Sequence, residues 1–327
     1  MSRNARTTCT TRSTRSTRTA RRFALVAACA LALVALAGCT APAEKPAAET
    51  PKVVAATFPV TITDDASRTV TIKAEPQRIV SLAPANTEIA FALGLGDKVV
   101  GVTTYDDYPA EVTKITKIGD FTTPNIEAIA AAKPDLILAT TGVQADVLAK
   151  LEALGATVIA LDPQNLAGVY SAIERTGKAT GAISQAAALV DGMKVDVDAI
   201  TASVEGTEPV SAFVEIAQNP LYTAGTGTLL DELITLAGGT NVVTQPSWVA
   251  YSAEQVVKDN PTVYMATKGS MSDPAQLSQR AGFKELSAVK NGRVVILDDN
   301  LVSRPGPRVV EGLKEIAAAL HPALVSK

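Results

Sequence analysis

The sequence predicts an α/β protein of two pseudo-symmetric lobes, each a parallel-sheet α/β sandwich, joined by a long backbone helix with the ligand cleft between them. Three observations carry this. Short apolar strands alternate with amphipathic helices in two separate runs, residues 164–205 between the runs show helical spacing and no strand signal, and one set of landmarks recurs at a constant offset of 127 residues.

Residues 1–38 stand outside that pattern. They hold seven arginines and no acidic residue and lead into the apolar run 23–38. As a helix that run reaches only about 24 Å, short for a ~30 Å hydrocarbon core, so it reads as the core of a signal peptide rather than a membrane anchor. Its end, Leu36-Ala37-Gly38-Cys39, resembles a bacterial lipobox. An ordinary signal with an incidental cysteine is the bland alternative, but the small residues at 37 and 38 and the low-complexity stretch behind them favour lipidation of Cys39. The mature protein is then expected on the outer face of the cytoplasmic membrane, with residues 39–56 as a flexible tether rich in Ala, Pro, Lys and Glu. Arg21-Arg22-Phe23 resembles a twin-arginine signal without its polar flank, which leaves the export route open.

Cys9 and Cys29 depart with the signal, so no disulfide or thiolate metal site is expected. Removing the seven arginines leaves 23 basic residues against 33 acidic ones, a net charge of −10 that disfavours nucleic acid. His321 is the only histidine, at the end of a predicted helix, which removes the central residue of zinc receptors and His-based triads. No cofactor and no resident metal are expected.

The first lobe, 57–163, opens with an edge hairpin over 59–72 that turns at Asp64-Asp65. Strands follow at 78–82, 98–103, 135–139 and 157–161, with helices at 87–93, 126–132 and 145–154. In the linking segment 164–205, Val169, Ile173, Leu189, Met193, Val197 and Ile200 keep helical spacing, in one helix or in two pieces broken near 177–181. The second lobe, 206–327, has strands at 210–216, 262–266 and 293–297, and helices at 229–237, 253–258, 274–286 and 308–320.

The repeat ties the lobes together. Phe121 and Trp248 each precede a glutamate by six residues, Glu127 and Glu254; a proline follows seven later, Pro134 and Pro261, opening a strand that ends in Ala-Thr at Thr140 and Thr267. Ligands of open parallel sheets sit off the carboxyl ends of the strands. Residues so placed are Pro84, Ala85 and Asn86, the segment 105–108, and Phe121 from the first lobe, with Tyr222, Trp248, Tyr251 and Arg304 from the second. Aromatics are only 4% of the chain, so their gathering at predicted strand-to-helix loops suggests walls for a flat organic ligand, although each could instead pack in a lobe core. Arg304 could hold an anionic chelate or a phosphate, or simply shape a helix-capping turn. Glu127 and Glu254 each head a predicted helix, where the dipole alone favours a carboxylate; their equivalence in the repeat suggests docking on arginines of a membrane partner.

The stretches 78–88 (Arg-Ile-Val-Ser-Leu-Ala-Pro-Ala-Asn-Thr-Glu), 105–109 (Tyr-Asp-Asp-Tyr-Pro), 125–135 and 253–256 resemble the helical-backbone, class III substrate-binding lipoproteins of ABC importers, which carry cobalamin, ferric siderophores or haem. The resemblance spans residues 75–322. It implies a two-lobed receptor with limited closure, acting as a monomer, with a metal chelate as ligand and permease and ATPase subunits as partners. It further implies that Tyr108, Phe121 and Trp248 sandwich the ligand, Phe121 standing where the cobalamin binders carry Trp, and that Glu127 and Glu254 dock on the permease. A corrinoid ranks above a ferric siderophore or haem, because flat aromatic walls outnumber arginines. A secreted α/β enzyme is the rival from another class, yet there is no Gly-x-Ser-x-Gly elbow and no histidine base, and Asp106-Asp107 are consecutive. A lipoprotein that only binds partner proteins would have a sealed cleft.

Overall fold

Alternation along the strands decides the layering. A computed structural model describes residues 56–271 and 273–325; the expected signal peptide, Cys39 and nearly all of the tether lie outside them. The hairpin is β1 (Val60–Thr63) and β2 (Thr69–Ile72), paired antiparallel. The first lobe follows as β3 (Ile79–Ser81), α1 (Pro84–Ala92), β4 (Val99–Gly101), α2 (Ile126–Ala131), β5 (Leu136–Ala139), α3 (Ala145–Ala153) and β6 (Val158–Ala160). Its strands form a parallel sheet in the order β4-β3-β5-β6.

Two helices lead out of it, α4 (Leu166–Thr180) and α5 (Ile183–Val204). The second lobe contains β7 (Val210–Glu215), β8 (Ala217–Gln218), β9 (Leu221–Ala224), α6 (Leu229–Leu236), β10 (Gly239–Asn241), β11 (Trp248–Ala250), α7 (Ala253–Asp259) and β12 (Val263–Thr267). It closes with α8 (Ser287–Lys290), β13 (Val294–Leu297), α9 (Asp299–Val302), α10 (Val309–Leu320) and α11 (Pro322–Val325). Its parallel sheet runs β10-β7-β12-β13, so β5 and β12, the strands matched by the repeat, fill the same slot in the two sheets.

Each central strand is buried on both faces, which is why it reads as a continuous apolar run. Leu136 and Leu138 of β5 enter a cluster that also holds Val263 and Met265 of β12, whereas Ile137 and Ala139 face a second cluster with Leu148 and Leu151 of α3. Phe213 and Tyr264 point to a third cluster on the far side of the second sheet. The first cluster is shared by both lobes through Val169 and Ile173 of α4 and Val190, Met193 and Val197 of α5.

Of the two forms left open for the linking segment the structure has the second, two helices broken at Gly181, whose φ of +83° is left-handed. Two expectations need correction. Residues 274–286 form two 3₁₀ turns, Pro274–Gln279 and Phe283–Glu285, because Gly282 between them sits at φ +80°. Tyr222 and Trp248, placed in loops by sequence, lie on strands of an unforeseen antiparallel sheet, β11-β9-β8. No helix among the described residues is long and apolar enough to cross a membrane.

The hairpin is fastened to the first lobe through Asp64. Its carboxylate accepts the backbone N–H of Ala160 at 3.0 Å and of Arg68 at 2.9 Å, and pairs with the Arg68 guanidinium. Burial pushes this carboxyl up, but those hydrogen bonds outweigh it and hold it below the ordinary aspartate value. A depressed folded-state value stabilises above the ordinary aspartate range and is lost as pH falls through the folded value. The stability difference between wild type and Asp64→Asn in urea unfolding should therefore be full near neutrality and shrink well below about pH 4; a constant difference would remove Asp64 as the anchor. At the α4–α5 joint, a Cβ on Gly177 would lie 2.4 Å from that of Ala186 and 2.9 Å from the Ala182 carbonyl. Gly177→Ala should cost about 1–3 kcal/mol in the same assay.

Candidate functional site

The carboxyl ends of β3, β5 and β6 release three segments that meet the chain after β13 from the other lobe. Between them lies a cavity of about 490 Å³, lined by Pro84, Ala85, Tyr105, Phe121, Leu161 and Pro305 among others. A smaller hollow of about 170 Å³ adjoins it, sharing Asp162, Pro163, Ser303 and Pro305 and adding Trp248.

Helix α1 begins at Pro84, whose fixed φ suits the first helical position. Asn86 lines the cavity, but its Nδ2 donates to the Ala139 carbonyl at 3.0 Å, so its amide ties α1 to the end of β5. Phe121 is half-buried on the wall, and its backbone carbonyl accepts from Nε2 of the buried Gln144 at 2.7 Å. The same amide group donates to Leu82 O at 2.7 Å, while its oxygen accepts from Thr140 N at 3.0 Å. Gln144 thus sets the wall from beneath, and nothing in the sequence marked it. Asp162, also unforeseen, stands on the floor of both hollows, its carboxylate accepting the hydroxyls of Thr140, at 3.2 Å, and Thr141.

The segment 105–109 departs from expectation. Asp106 is buried, its Oδ2 accepting from Thr103 N at 2.9 Å and its Oδ1 without a hydrogen-bond partner among the described residues, and burial raises its carboxyl above the ordinary aspartate value. With Asp106 turned inward, Tyr105 rather than Tyr108 reaches the cavity, and it is 60% exposed. Tyr108 instead lines a different hollow with Phe91 and Glu111, its ring 3.9 Å from the Arg308 guanidinium.

In the second lobe, Trp248 is 37% exposed at the cleft. Tyr222, half-buried, donates its hydroxyl to the Trp248 carbonyl at 3.2 Å and so braces the strand rather than lining either hollow. Tyr251 belongs to the lobe core: it packs 5.6 Å from Phe213 and donates to Asp259, with burial pushing its phenol up to about 12.

Arg304 lines the cavity, yet its guanidinium is occupied by Glu88 at 3.1 Å, Asp107 at 2.6 Å and the Tyr105 carbonyl at 3.2 Å. Arg308 adds a bidentate pair to Glu88 at 2.6 and 2.9 Å. Glu88, passed over in sequence, is 3% exposed and links α1 of the first lobe to the second. The single charge in an otherwise uncharged helix was the signal available. His321 caps α10, its Nε2 3.1 Å from the Gly238 carbonyl, and takes no part in the cleft. Among the described residues, no three His, Cys, Asp or Glu side chains are grouped to hold a metal ion.

Glu127 and Glu254 are both exposed in the first turns of α2 and α7, matching ends of the two lobes. Asn125 caps one helix, and Ser252 with Gln255 forms a capping box on the other. The Glu254 carboxyl is held below its usual value by its own backbone amide and the Ser252 hydroxyl.

The ABC transporter substrate-binding lipoprotein YvrC of Bacillus subtilis is 42% identical over 305 residues, 90% of this chain and 96% of that one. The crystal structure of the periplasmic vitamin B12 binding protein BtuF of Vibrio cholerae superposes with a TM-score of 0.67 at 30% identity, covering 76% of this chain and 98% of that one. The periplasmic heme-binding protein RhuT from Roseiflexus gives 0.70 at 27% identity, covering 76% and 99%. A sequence profile of the family described as periplasmic binding protein matches residues 79–301, more than half of the chain, and the chain belongs to that family.

Proposed function

We propose that this protein is the substrate-binding lipoprotein of an ABC importer, exported and anchored through Cys39, which takes a metal chelate, a corrinoid by preference, into the cleft and presents it to the permease. The observation that carries this is the apolar cavity at the strand ends, with Tyr105 and Phe121 on one lobe and Trp248 on the other. Aromatic faces on opposing lobes suit a planar macrocycle, and a cleft open to solvent suits capture and release. The names of the Bacillus and Vibrio relatives point the same way. A binding role rather than an enzymatic one is supported by the cleft's polar groups, which are already tied to each other and to backbone.

Glu127 and Glu254 are the proposed docking pair. They are exposed, lie at equivalent ends of the lobes and make no salt bridge among the described residues.

Purified protein should be melted with cyanocobalamin, haemin and ferric siderophores. A true ligand at 100 times its dissociation constant stabilises by about 2.7 kcal/mol. The expected result is a shift with cyanocobalamin that Trp248→Ala weakens by about tenfold or more in affinity. A shift with haemin or a ferric siderophore alone would reassign the cargo, and no shift with any chelate would overturn the receptor role. In a strain that depends on this importer, Glu127→Arg with Glu254→Arg should abolish uptake while the purified double variant still binds its chelate; normal uptake would remove the docking role.

A further inference from the structure

The chelate-receptor proposal leaves open what the cleft refuses, and the charges at its mouth bear on that. Among the described residues Arg304 is the only basic one on the cavity wall, and it is not available as a free cation. Glu88, buried to 3%, draws Arg304 and Arg308 together, and Asp107 takes the remaining face of Arg304 at 2.6 Å while its other oxygen accepts from Asn300 Nδ2 at 3.1 Å. Arg308 is further committed to the Tyr108 ring. Asp162, on the floor, is held by two threonine hydroxyls and by no cation among the described residues. Arg304 and Asp162 line the cavity itself, while Glu88 and Arg308 stand behind it at a neighbouring hollow; over this whole set, two guanidinium groups stand against three carboxylates, Glu88, Asp107 and Asp162, and the balance is one negative charge.

We infer that the cleft sorts chelates by charge, taking neutral or cationic ones that offer N–H donors and turning away those with free carboxylates or other anionic groups, with Glu88, Asp107 and Asp162 as the specificity-determining residues. An anion entering the cavity meets Asp162 and has to compete with Glu88 and Asp107 for Arg304; an amide-bearing ligand can donate to Asp162 instead. Like charges brought together in a partly desolvated site repel more strongly than in water, so repulsion of the wrong ligand adds to the contact offered to the right one. The inference rests on the receptor reading above, and it excludes haem, with its two propionates, from the ligands that reading permits.

The test varies charge, on one scaffold in the corrinoid pair and between two chelate types in the siderophore pair. Cyanocobalamin and its monocarboxylic acid, in which one peripheral amide is hydrolysed, differ by one negative charge; ferric desferrioxamine B, a cation, is set against ferric enterobactin, a trianion. Titration calorimetry on wild type should show the more anionic member of a pair binding at least about tenfold more weakly. Asp162→Asn and Asp107→Asn should each bring that ratio to within about threefold. Asp107 is suited to this because its side chain is 52% exposed and its loss leaves the Glu88 pairs in place. Glu88→Gln should act most strongly, provided its circular dichroism matches wild type. Equal affinities within a pair that binds, or a ratio unmoved in both asparagine variants, would overturn charge sorting alone. Binding of haemin alone would likewise overturn charge sorting and leave the receptor reading standing, whereas failure of both pairs and of haemin to bind would remove the chelate-receptor reading together with it.

Discussion

A carboxylate buried between two lobes has to be paired, and much of this molecule's geometry follows from that requirement at Glu88. Taking an ion of this size out of water costs several kcal/mol even after relaxation, and removing one partner of such a pair is strongly destabilising. Glu88 sits on α1 of the first lobe, while Arg304 and Arg308 arrive from beyond β13 of the second. Meeting its needs fixes the start of α1, the turn at 303–308 and, through Asp107 and the Tyr105 carbonyl, the loop at 105–109. Those three segments are also walls of the cavity. One desolvated charge therefore positions the site more than it stabilises the fold.

The apolar core constrains the lobes from the other side. Leu136, Leu138 and Ile159 of the first lobe and Val214, Val263 and Met265 of the second belong to one cluster completed by α4, α5 and α10. Packed interiors resist continuous deformation, so the lobes cannot swing widely without opening this cluster. A movement that leaves it intact has only the cleft side to work with, where contact between the lobes is ionic and partly wetted. The limited closure implied by the family resemblance has this physical basis: a helix pair and shared core on one side, exchangeable charge pairs on the other.

What could be read from the sequence was what repeats locally. Strands buried on both faces announce themselves as apolar runs, and the offset of 127 residues matched β5 with β12 because proline, strand and terminal Ala-Thr lie within one short stretch. What could not be read depends on partners far along the chain. Trp248 and Tyr251 stand three residues apart and look equivalent as aromatics, yet Phe213 draws Tyr251 into the core and β9 pairs with Trp248 at the cleft edge. Gln144, Asp162 and Glu88 looked ordinary because the groups that give them meaning, Leu82 and Phe121 carbonyls, the 140–141 hydroxyls and the 304–308 arginines, converge only in the folded chain. The 3₁₀ turns at 274–286 were missed for the opposite reason: helical spacing was present, and a single left-handed glycine overruled it.

Where the two lobes stay alike and where they diverge bears on what each surface meets. Glu127 and Glu254 keep the same first-turn position and are both exposed, as expected if the two lobes meet the proposed partner in equivalent ways. The cleft residues at equivalent positions have drifted apart. Phe121 rests on a loop braced by Gln144, whereas Trp248 rides an antiparallel strand; Thr140 supports a carboxylate in the cavity, whereas Thr267 is buried and turns its hydroxyl to the Ile216 carbonyl at 3.4 Å. The 490 Å³ cavity is built mainly from the first lobe, with the second contributing an edge there and one tryptophan to the adjoining hollow. In the proposed role, a ligand lying across such a cleft would meet different chemistry above and below and so be held in one orientation, which the equivalent outer ends of the lobes would present to the partner each time.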